Sequence, residues 1–450
     1  MTIVPIAELL RGARRDDHGV AFRAGRIVTV AELRRDVLHN ARRLARLPSH
    51  RSLLLCEDAY WFLVGLVALM QLGSRVIVPP NSQPGTLQEL SGAFDLMVAD
   101  SPHPEAVDPF ILERGADAPI ATIDLGSGEL DFFTSGSTGA AKRVTKSLRS
   151  FEREASALEA LFGEMLGALP VLGMVPHQHV YGATFRLLWP LLAGRAFSAD
   201  TYFAWEILLH HLAAPAMIVS SPAHLTRIGG IEPIPEARQP RIIFSAGALL
   251  RSVAAAEVAC IFGAPPIQIF GSTETGAIAW QNSVDDAPMW RPLPGVEVST
   301  TAEGLMCLRS SFLDGEPQQT LADRVCIAND GRFQFEGRAD RIVKVEGVRI
   351  SVQKLENDIL ALPWIADAAV AAVADHRTIL GVIATLSPEG KAELVRLGKF
   401  RFERMLRQNL AKTSDSAALP RKWRFVETIP LDGMGKRLNQ DIARLLQASA

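Results

Sequence analysis

The sequence predicts an α/β protein: a large N-terminal domain of doubly wound sheets with a small barrel-like layer, followed by a smaller α+β domain. Three observations carry this. Short apolar runs alternate with helical stretches as far as residue 285. Beyond it, Pro292, Pro294 and Gly295 open a series of short alternating segments. At 450 residues, the chain also exceeds a single ordinary hydrophobic core.

The elements follow in order. Val30, Leu33, Val37, Leu38, Ala41 and Leu44 recur at helical spacing within 30–47. Leu53–Cys56 reads as a buried strand. Phe62–Leu72 reads as an apolar helix stopped by Gly73, and Arg75–Val78 as a strand closed by Pro79 and Pro80. Strand, helix, strand in that order favours a parallel sheet. Ala216–Ser220 and Arg241–Phe244 repeat the pattern, each followed by a small or polar turn and a helix, and Ile267–Phe270 ends on Gly-Ser-Thr. In such sheets ligands sit at the carboxyl ends of strands. Ile350–Leu362 is expected to be a helix, Ala368–Val373 and Leu380–Leu386 strands, and Gly390–Leu410 one helix. A junction near Arg338–Arg341 divides residues 1–339 from 340–450.

The composition, 48% hydrophobic and 21% charged, is that of a soluble globular protein. No uncharged apolar run reaches the ~18 residues of a membrane span, and the N-terminus lacks the basic lead of a secretory signal. Cys56, Cys260, Cys307 and Cys326 have no metal-ligand spacing; they read as reduced, mostly buried residues of a cytoplasmic protein. The net charge of −2 is unevenly spread: the chain from Arg341 onward carries +6 and the remainder −8. The excess lies in Lys391–Arg424. It is either a solvated helical face or a docking surface for a phosphate-bearing or acidic partner. Aromatic residues are not interleaved through it, which disfavours nucleic acid.

Six clusters carry chemistry. Phe133, Thr134, Ser135, Gly136, Ser137, Thr138, Gly139, Ala140, Ala141 and Lys142 put glycines, hydroxyls and a cation into one loop, the composition that holds a polyphosphate. Gly-x4-Gly-Lys-Ser/Thr cannot be fitted to it. Pro176-His177-Gln178-His179-Val180-Tyr181-Gly182 reads as a pocket wall and Ser245-Ala246-Gly247 as a small-residue turn after a strand, open to a flat ring. Phe270-Gly271-Ser272-Thr273-Glu274-Thr275-Gly276 places a hydroxyl beside a carboxylate, oxygen ligands suited to phosphate and Mg²⁺. Asp323 with Arg338 offers a carboxylate and a guanidinium to a ribose. Lys436 sits on a glycine-flanked loop able to reach a distant site.

In this order the clusters resemble the adenylate-forming superfamily: acyl-CoA synthetases, aryl-acid ligases, peptide-synthetase adenylation domains and luciferases. The resemblance spans nearly the whole chain, with Thr29–Leu47 and Leu66–Pro80 similar to the family's early motifs. It implies that ATP and a carboxylic acid form an acyl-adenylate and pyrophosphate, and that the acyl group then passes to a thiol of CoA or of a phosphopantetheinyl carrier protein. On that reading Thr134–Gly139 and Lys142 hold the β- and γ-phosphates. Glu274 is the Mg²⁺ ligand, and Thr273 stands at the α-phosphate beside Gly271 and Ser272. Phe270, in place of the usual tyrosine, stacks on adenine opposite Ala246 and Gly247. Asp323 and Arg338 contact the ribose. Lys436 bridges the carboxylate, the α-phosphate and the ribose. His179, Tyr181, Gly182, Ser245, Gly276 and Ala277 line the acyl pocket. Asp340 is the hinge of a mobile C-terminal domain whose Val343–Gly347 segment faces the thiol channel.

The chain departs from the family in several places: Ala141 replaces a proline, Arg143 a glycine, and Leu321-Ala322 the Thr-Gly before the ribose aspartate. It is also short, the deficit lying in the N-terminal domain. Its overall look resembles the compact ligases of aryl polyene and xanthomonadin-type pathways, which load hydroxyaryl acids onto an acyl carrier protein. The basic patch suits that acidic carrier, docked on the C-terminal domain, as well as the phosphates of CoA. His179 and Tyr181 favour a hydroxylated ring. A medium-chain or hydroxy fatty acid is the alternative. A catalytically silent nucleotide-binding regulator is disfavoured by the presence of Lys142, Glu274 and Lys436, and nothing marks luciferase-like oxygen chemistry.

Overall fold

The computed structural model describes residues 2–47, 50–103, 108–115, 125, 128–135, 141–212, 214–285, 287–345, 348–374, 378–412, 419–431, 437 and 439–447. The chain divides into two compact units. The first holds residues to Val298, apart from 137–139, together with Leu308–Gln319; the second holds Ser299–Cys307 and Thr320 onward.

Two mixed sheets build the first unit. One has six strands in the order Phe110–Ile111, Leu96–Ala99, Arg51–Leu55, Arg75–Val78, Glu129–Ser135 and Ala141–Ser147. The other has nine: Arg291–Pro292, Gly276–Gln281, Ile267–Ser272, Ile242–Ala246, Met217–Ser220, Val171–Gly173, Phe197–Thr201, Gly19–Arg23 and Arg26–Thr29. Their centres are parallel, as the strand-helix-strand order predicts. The Phe110–Ile111 edge is parallel too, but the other three edges are not. Glu129–Ser135 pairs antiparallel with Ala141–Ser147, and Ile267–Ser272 with Gly276–Gln281. A connection as short as Thr273–Thr275 cannot form a crossover, so the chain must return as a hairpin. Val30–Leu44 is helical behind a capping box made by Thr29 and Glu32, and Ala59–Gln71 is a helix capped by Asp58 and buried on all sides.

The helix Leu148–Leu166 lies against the nine-stranded sheet, where Phe162 meets Phe244 at 5.2 Å and Trp280 at 5.5 Å between ring centres. Its inner face also carries two carboxylates, Glu154 and Glu159. Glu159 accepts from Arg195 Nη1 and Nη2 at 2.6 and 2.9 Å and from Trp189 Nε1 at 2.9 Å. This buried, bidentate pair fixes the helix in rotation and height.

In the second unit, Ile365–Ala374, Thr378–Leu386 and Lys422–Phe425 form a three-stranded sheet. Side chains alternate along it. Val370 and Val382 face Leu355, Ile359, Phe402 and Leu406, while Ala369 and Ile383 face Ile442 and Leu446 of the helix Asn439–Gln447. Two expected helices are corrected here. Ile350 belongs to the strand Val348–Ser351, and the helix starts at Val352, where the Ser351 side chain accepts the Lys354 N–H. The stretch expected to be one helix over Gly390–Leu410 is two, Pro388–Leu397 and Lys399–Leu410, because Gly398 takes φ +73° between them. The break turns Phe402, Leu406 and Leu410 into the core and leaves Val395 exposed.

The cysteines are also corrected: only Cys56 is buried, Cys260 and Cys326 are exposed, and all four are free. Among the described residues no helix is long and apolar enough to cross a membrane.

Arg195→Met would strand the Glu159 carboxylate in the core. We expect it to lower unfolding stability by about 3–5 kcal/mol, measured by chemical denaturation.

Candidate active site

The geometry centres on the turn between Ile267–Ser272 and Gly276–Gln281. Ser272 pairs with Gly276 and Gly271 with Ala277. Within the turn, the Ser272 N–H donates to Thr275 Oγ1 at 3.0 Å and the Thr275 N–H to Ser272 Oγ at 3.3 Å. Thr275 is therefore buried, while Thr273 and Glu274 stand partly exposed at the tip. Gly276 adopts φ +67°. Gly271 must be glycine for another reason: a Cβ there would collide with the Gly276 carbonyl.

The other sheet delivers Lys142 to this turn. Thr134 pairs with Lys142, and Ser135 with Ala141, at the end of their hairpin. Lys142 Nζ donates to Glu274 Oε1 at 2.7 Å, joining residues 132 positions apart. Burial raises the Glu274 carboxyl, but Lys142, the turn's backbone and Ser272 outweigh it and hold the acid below its usual range. It is therefore ionised at neutral pH. Gly136, Ser137, Thr138 and Gly139 lie outside the described residues, as do the side chains of Thr134 and Ser135.

Among the described residues no group of three or more His, Cys, Asp or Glu side chains could hold a metal ion by itself. One ionised carboxylate flanked by hydroxyls still suits Mg²⁺, which commonly binds through one or two carboxylates plus substrate phosphates.

Beside the turn, Phe270 is half-buried against Trp290, ring centres 5.3 Å apart. Ala246 is buried and pairs with Ile269, and Gly247 is exposed with φ +100°. Gln268 steadies the loop after Gly247 by accepting the Leu250 N–H at 2.8 Å. Ser245 and Ala246 end the strand Ile242–Ala246 and are not in the turn. The Ser245 hydroxyl is buried and makes no hydrogen bond among the described residues.

The histidine motif divides. His177 is a core residue: its Nε2 lies 3.0 Å from the Cys56 carbonyl, its ring packs on Phe62, and burial lowers it to about 3. His179 is half-buried and immediately precedes the helical turn Val180–Gly182. Tyr181 packs on Phe185 at 4.9 Å, and its hydroxyl is buried without a hydrogen bond among the described residues. Gly182 is needed for close approach, since a Cβ would collide with the Pro176 carbonyl.

In the second unit, Asp323 and Arg338 face each other in register, Nη1 to Oδ1 3.6 Å. Ala339–Arg341 forms a short 3-10 turn, and Arg341 is tied to buried Glu356 at 2.8 and 3.1 Å. Lys436 and the Asp340 side chain lie outside the described residues.

Sequence reasoning missed Glu154, Lys146 and Trp290. Glu154 Oε1 accepts the Ala277 N–H at 2.9 Å from beneath the turn. A glutamate on the helix Leu148–Leu166 and a lysine on the strand Ala141–Ser147 carry no local signal. Trp290 could have been noticed as an aromatic following Phe270.

A family model described as AMP-binding enzyme matches residues 130–303, and one described as AMP-binding enzyme C-terminal domain matches 354–436. The 4-coumarate–CoA ligase of Cereibacter sphaeroides is 27% identical over 308 residues, covering 68% of this chain and 69% of its own. That of Rhodobacter capsulatus is 26% identical over 376 residues, 81% and 83%. In fold, the chain is similar to ATP-bound MatB from Rhodopseudomonas palustris, with a TM-score of 0.80 at 18% identity and 99% of both chains covered.

Because the Lys142 contact helps to depress Glu274, Lys142→Met should move the Glu274 titration upward toward the ordinary carboxylate range. Carboxyl-detected NMR of wild type and variant measures it.

Proposed function

The chain belongs to the AMP-binding enzymes, and we propose that it activates a hydroxyaryl carboxylic acid as its adenylate and passes the acyl group to an acyl carrier protein or CoA. At the coarser level it is an AMP-forming acid–thiol ligase that uses ATP. The observation that carries the proposal is the Lys142–Glu274 contact, which sets a cation and a carboxylate together at the ends of two sheets.

The chemistry must unite two anions, a carboxylate and a triphosphate, so repulsion and misorientation dominate its barrier. In our reading the acid's oxygen attacks the α-phosphorus and pyrophosphate leaves with the bond electrons. Lys142 and Thr134–Gly139 receive the β- and γ-phosphates. Thr273, with Gly271 and Ser272, borders the α-phosphate. Glu274 would hold Mg²⁺, which when bound supplies charge neutralisation between the phosphates. Phe270, supported by Trp290, and the Ala246–Gly247 edge flank the adenine. Asp323 and Arg338 receive the ribose, and Lys436 bridges the reacting carboxylate and α-phosphate.

The acyl pocket is assigned to His179, Tyr181, Gly182, Ser245, Gly276 and Ala277. Two buried hydroxyls without hydrogen bonds among the described residues, those of Tyr181 and Ser245, support an acid bearing its own polar group, because an unpaired buried polar atom is costly. They disfavour a plain alkyl chain, and the hydroxylated rings acted on by the two 4-coumarate–CoA ligases fit the same chemistry. For the acceptor, Lys399, Arg421, Lys422 and Arg424 line a cavity of about 200 Å³ in the second unit. That concentration of cations suits an acidic carrier protein, and equally the phosphates of CoA. Asp340 is the proposed pivot between the two half-reactions, with Val343–Gly347 turned to the thiol afterwards.

ATP–pyrophosphate exchange across benzoates, cinnamates and fatty acids tests the substrate class. Exchange with fatty acids alone would overturn the hydroxyaryl reading. Lys436→Ala should cut exchange roughly 10²–10³-fold. Asp340→Pro should leave exchange intact and abolish thioester formation; equal loss of both steps would remove its pivot role.

A further inference from the structure

One charged group in the first unit is unused by the proposed chemistry and sits where a leucine would pack. Glu154, on the inner face of Leu148–Leu166, is 1% exposed. Phe151, Ala155 and Leu158 of the same helix are equally buried. Burial pushes its carboxyl up, while the Lys146 ammonium, the Ala277 N–H and the Thr184 hydroxyl act in the opposite sense. Lys146 is itself buried, and its ammonium donates to the Phe312 carbonyl at 3.5 Å. A buried acid is seldom retained for stability alone, since an apolar residue of its size is often as good or better.

Its contacts show what it holds. Oε1 accepts the Ala277 N–H at 2.9 Å, the first backbone donor after the turn that presents Thr273 and Glu274. Oε2 makes no hydrogen bond among the described residues and lies under Gly276, where a Cβ would come within 2.7 Å of it. Gly276 pairs with Ser272, and Ala277 with Gly271. Both legs of the turn therefore take their height from one carboxylate. The helix bearing that carboxylate is fixed by Glu159 and Arg195, five residues along.

We propose that Glu154 is a positioning residue: through Ala277 and Gly276 it sets the height of the Ser272–Gly276 turn, and so the place of Thr273 and Glu274 against the nucleotide. The inference rests on the reading of Glu274 as the residue facing metal and phosphate. It concerns a residue that touches neither.

The test uses the full chain as wild type, Glu154→Gln, Glu154→Leu, Glu154→Asp and Glu274→Gln. Glutamine keeps an oxygen for the Ala277 N–H. Leucine removes it, and aspartate withdraws it by one methylene while keeping the acid. Three quantities are read: amide hydrogen exchange of residues 272–277 in the ligand-free protein, kcat for ATP–pyrophosphate exchange, and the Mg²⁺ concentration for half-maximal rate. Glu154→Gln is expected to resemble wild type in all three. Glu154→Leu and Glu154→Asp should exchange the turn amides faster, raise the Mg²⁺ requirement and lower kcat, by about 10–100-fold overall as for other partners that orient a metal ligand. Should Glu154→Leu fail to fold, Glu154→Asp carries the test alone. Wild-type turn protection and Mg²⁺ dependence in the aspartate variant would overturn the proposal, as would a loss in Glu154→Gln as large as in Glu154→Leu. Glu274→Gln separates the two readings: if it leaves the Mg²⁺ dependence unchanged while Glu154→Asp still loosens the turn amides, the metal reading fails and the positioning role stands.

Discussion

The first unit is organised around a three-residue turn that must be exposed at its tip and immobile at its base. Thr273–Thr275 cannot meet both demands with its own hydrogen bonds, because a hairpin edge offers few. The protein meets them by bringing charge from two directions. Lys142 arrives from the end of the six-stranded sheet and takes the Glu274 carboxylate at the tip. Glu154 rises from the helix Leu148–Leu166 and takes the Ala277 N–H at the base.

The two contacts differ in permanence, and the difference suits the chemistry. Lys142–Glu274 is open to water, with side chains 61% and 30% exposed, and such pairs contribute only about 0–1 kcal/mol. On the proposed function, a polyphosphate carrying a divalent cation would part them, lysine to phosphate and glutamate to metal. The Glu159–Arg195 pair lies wholly inside and is bidentate. Breaking it would leave a buried charge alone, so it persists throughout the cycle. A replaceable pair at the site stands on a permanent pair beneath it.

Charge is also divided along the chain. The excess of acid residues falls before Arg341 and the excess of basic residues after it. On the proposed function, which joins two anions and then delivers the product to an anionic acceptor, a cationic second unit has a use. The Lys399, Arg421, Lys422 and Arg424 cavity concentrates that charge on a scaffold whose two cores, around Phe402 and around Ile442, keep the sheet rigid.

Much of this was legible in the sequence, for local reasons. Apolar runs and stop residues located Arg75–Val78 to the residue and the other expected sheet strands to within one or two, except Ala368–Val373, whose strand begins three residues earlier at Ile365. Ordered motifs identified the family, because glycines and hydroxyls at fixed offsets reflect backbone geometry that few residues tolerate. The sequence also marked Lys142, Glu274 and Phe270. It could not give the hairpin edges of the sheets or the break at Gly398, since both depend on which surface each segment must bury. Nor could it separate His177, a core histidine bound to the Cys56 carbonyl, from His179. Glu154 and Lys146 stayed invisible because their meaning lies in contacts 123 and 166 residues away. The sequence alone determined which groups are present and the chemistry they allow. Only the tertiary structure decided which of them share a space, because burial and long-range hydrogen bonding are properties of the packed chain.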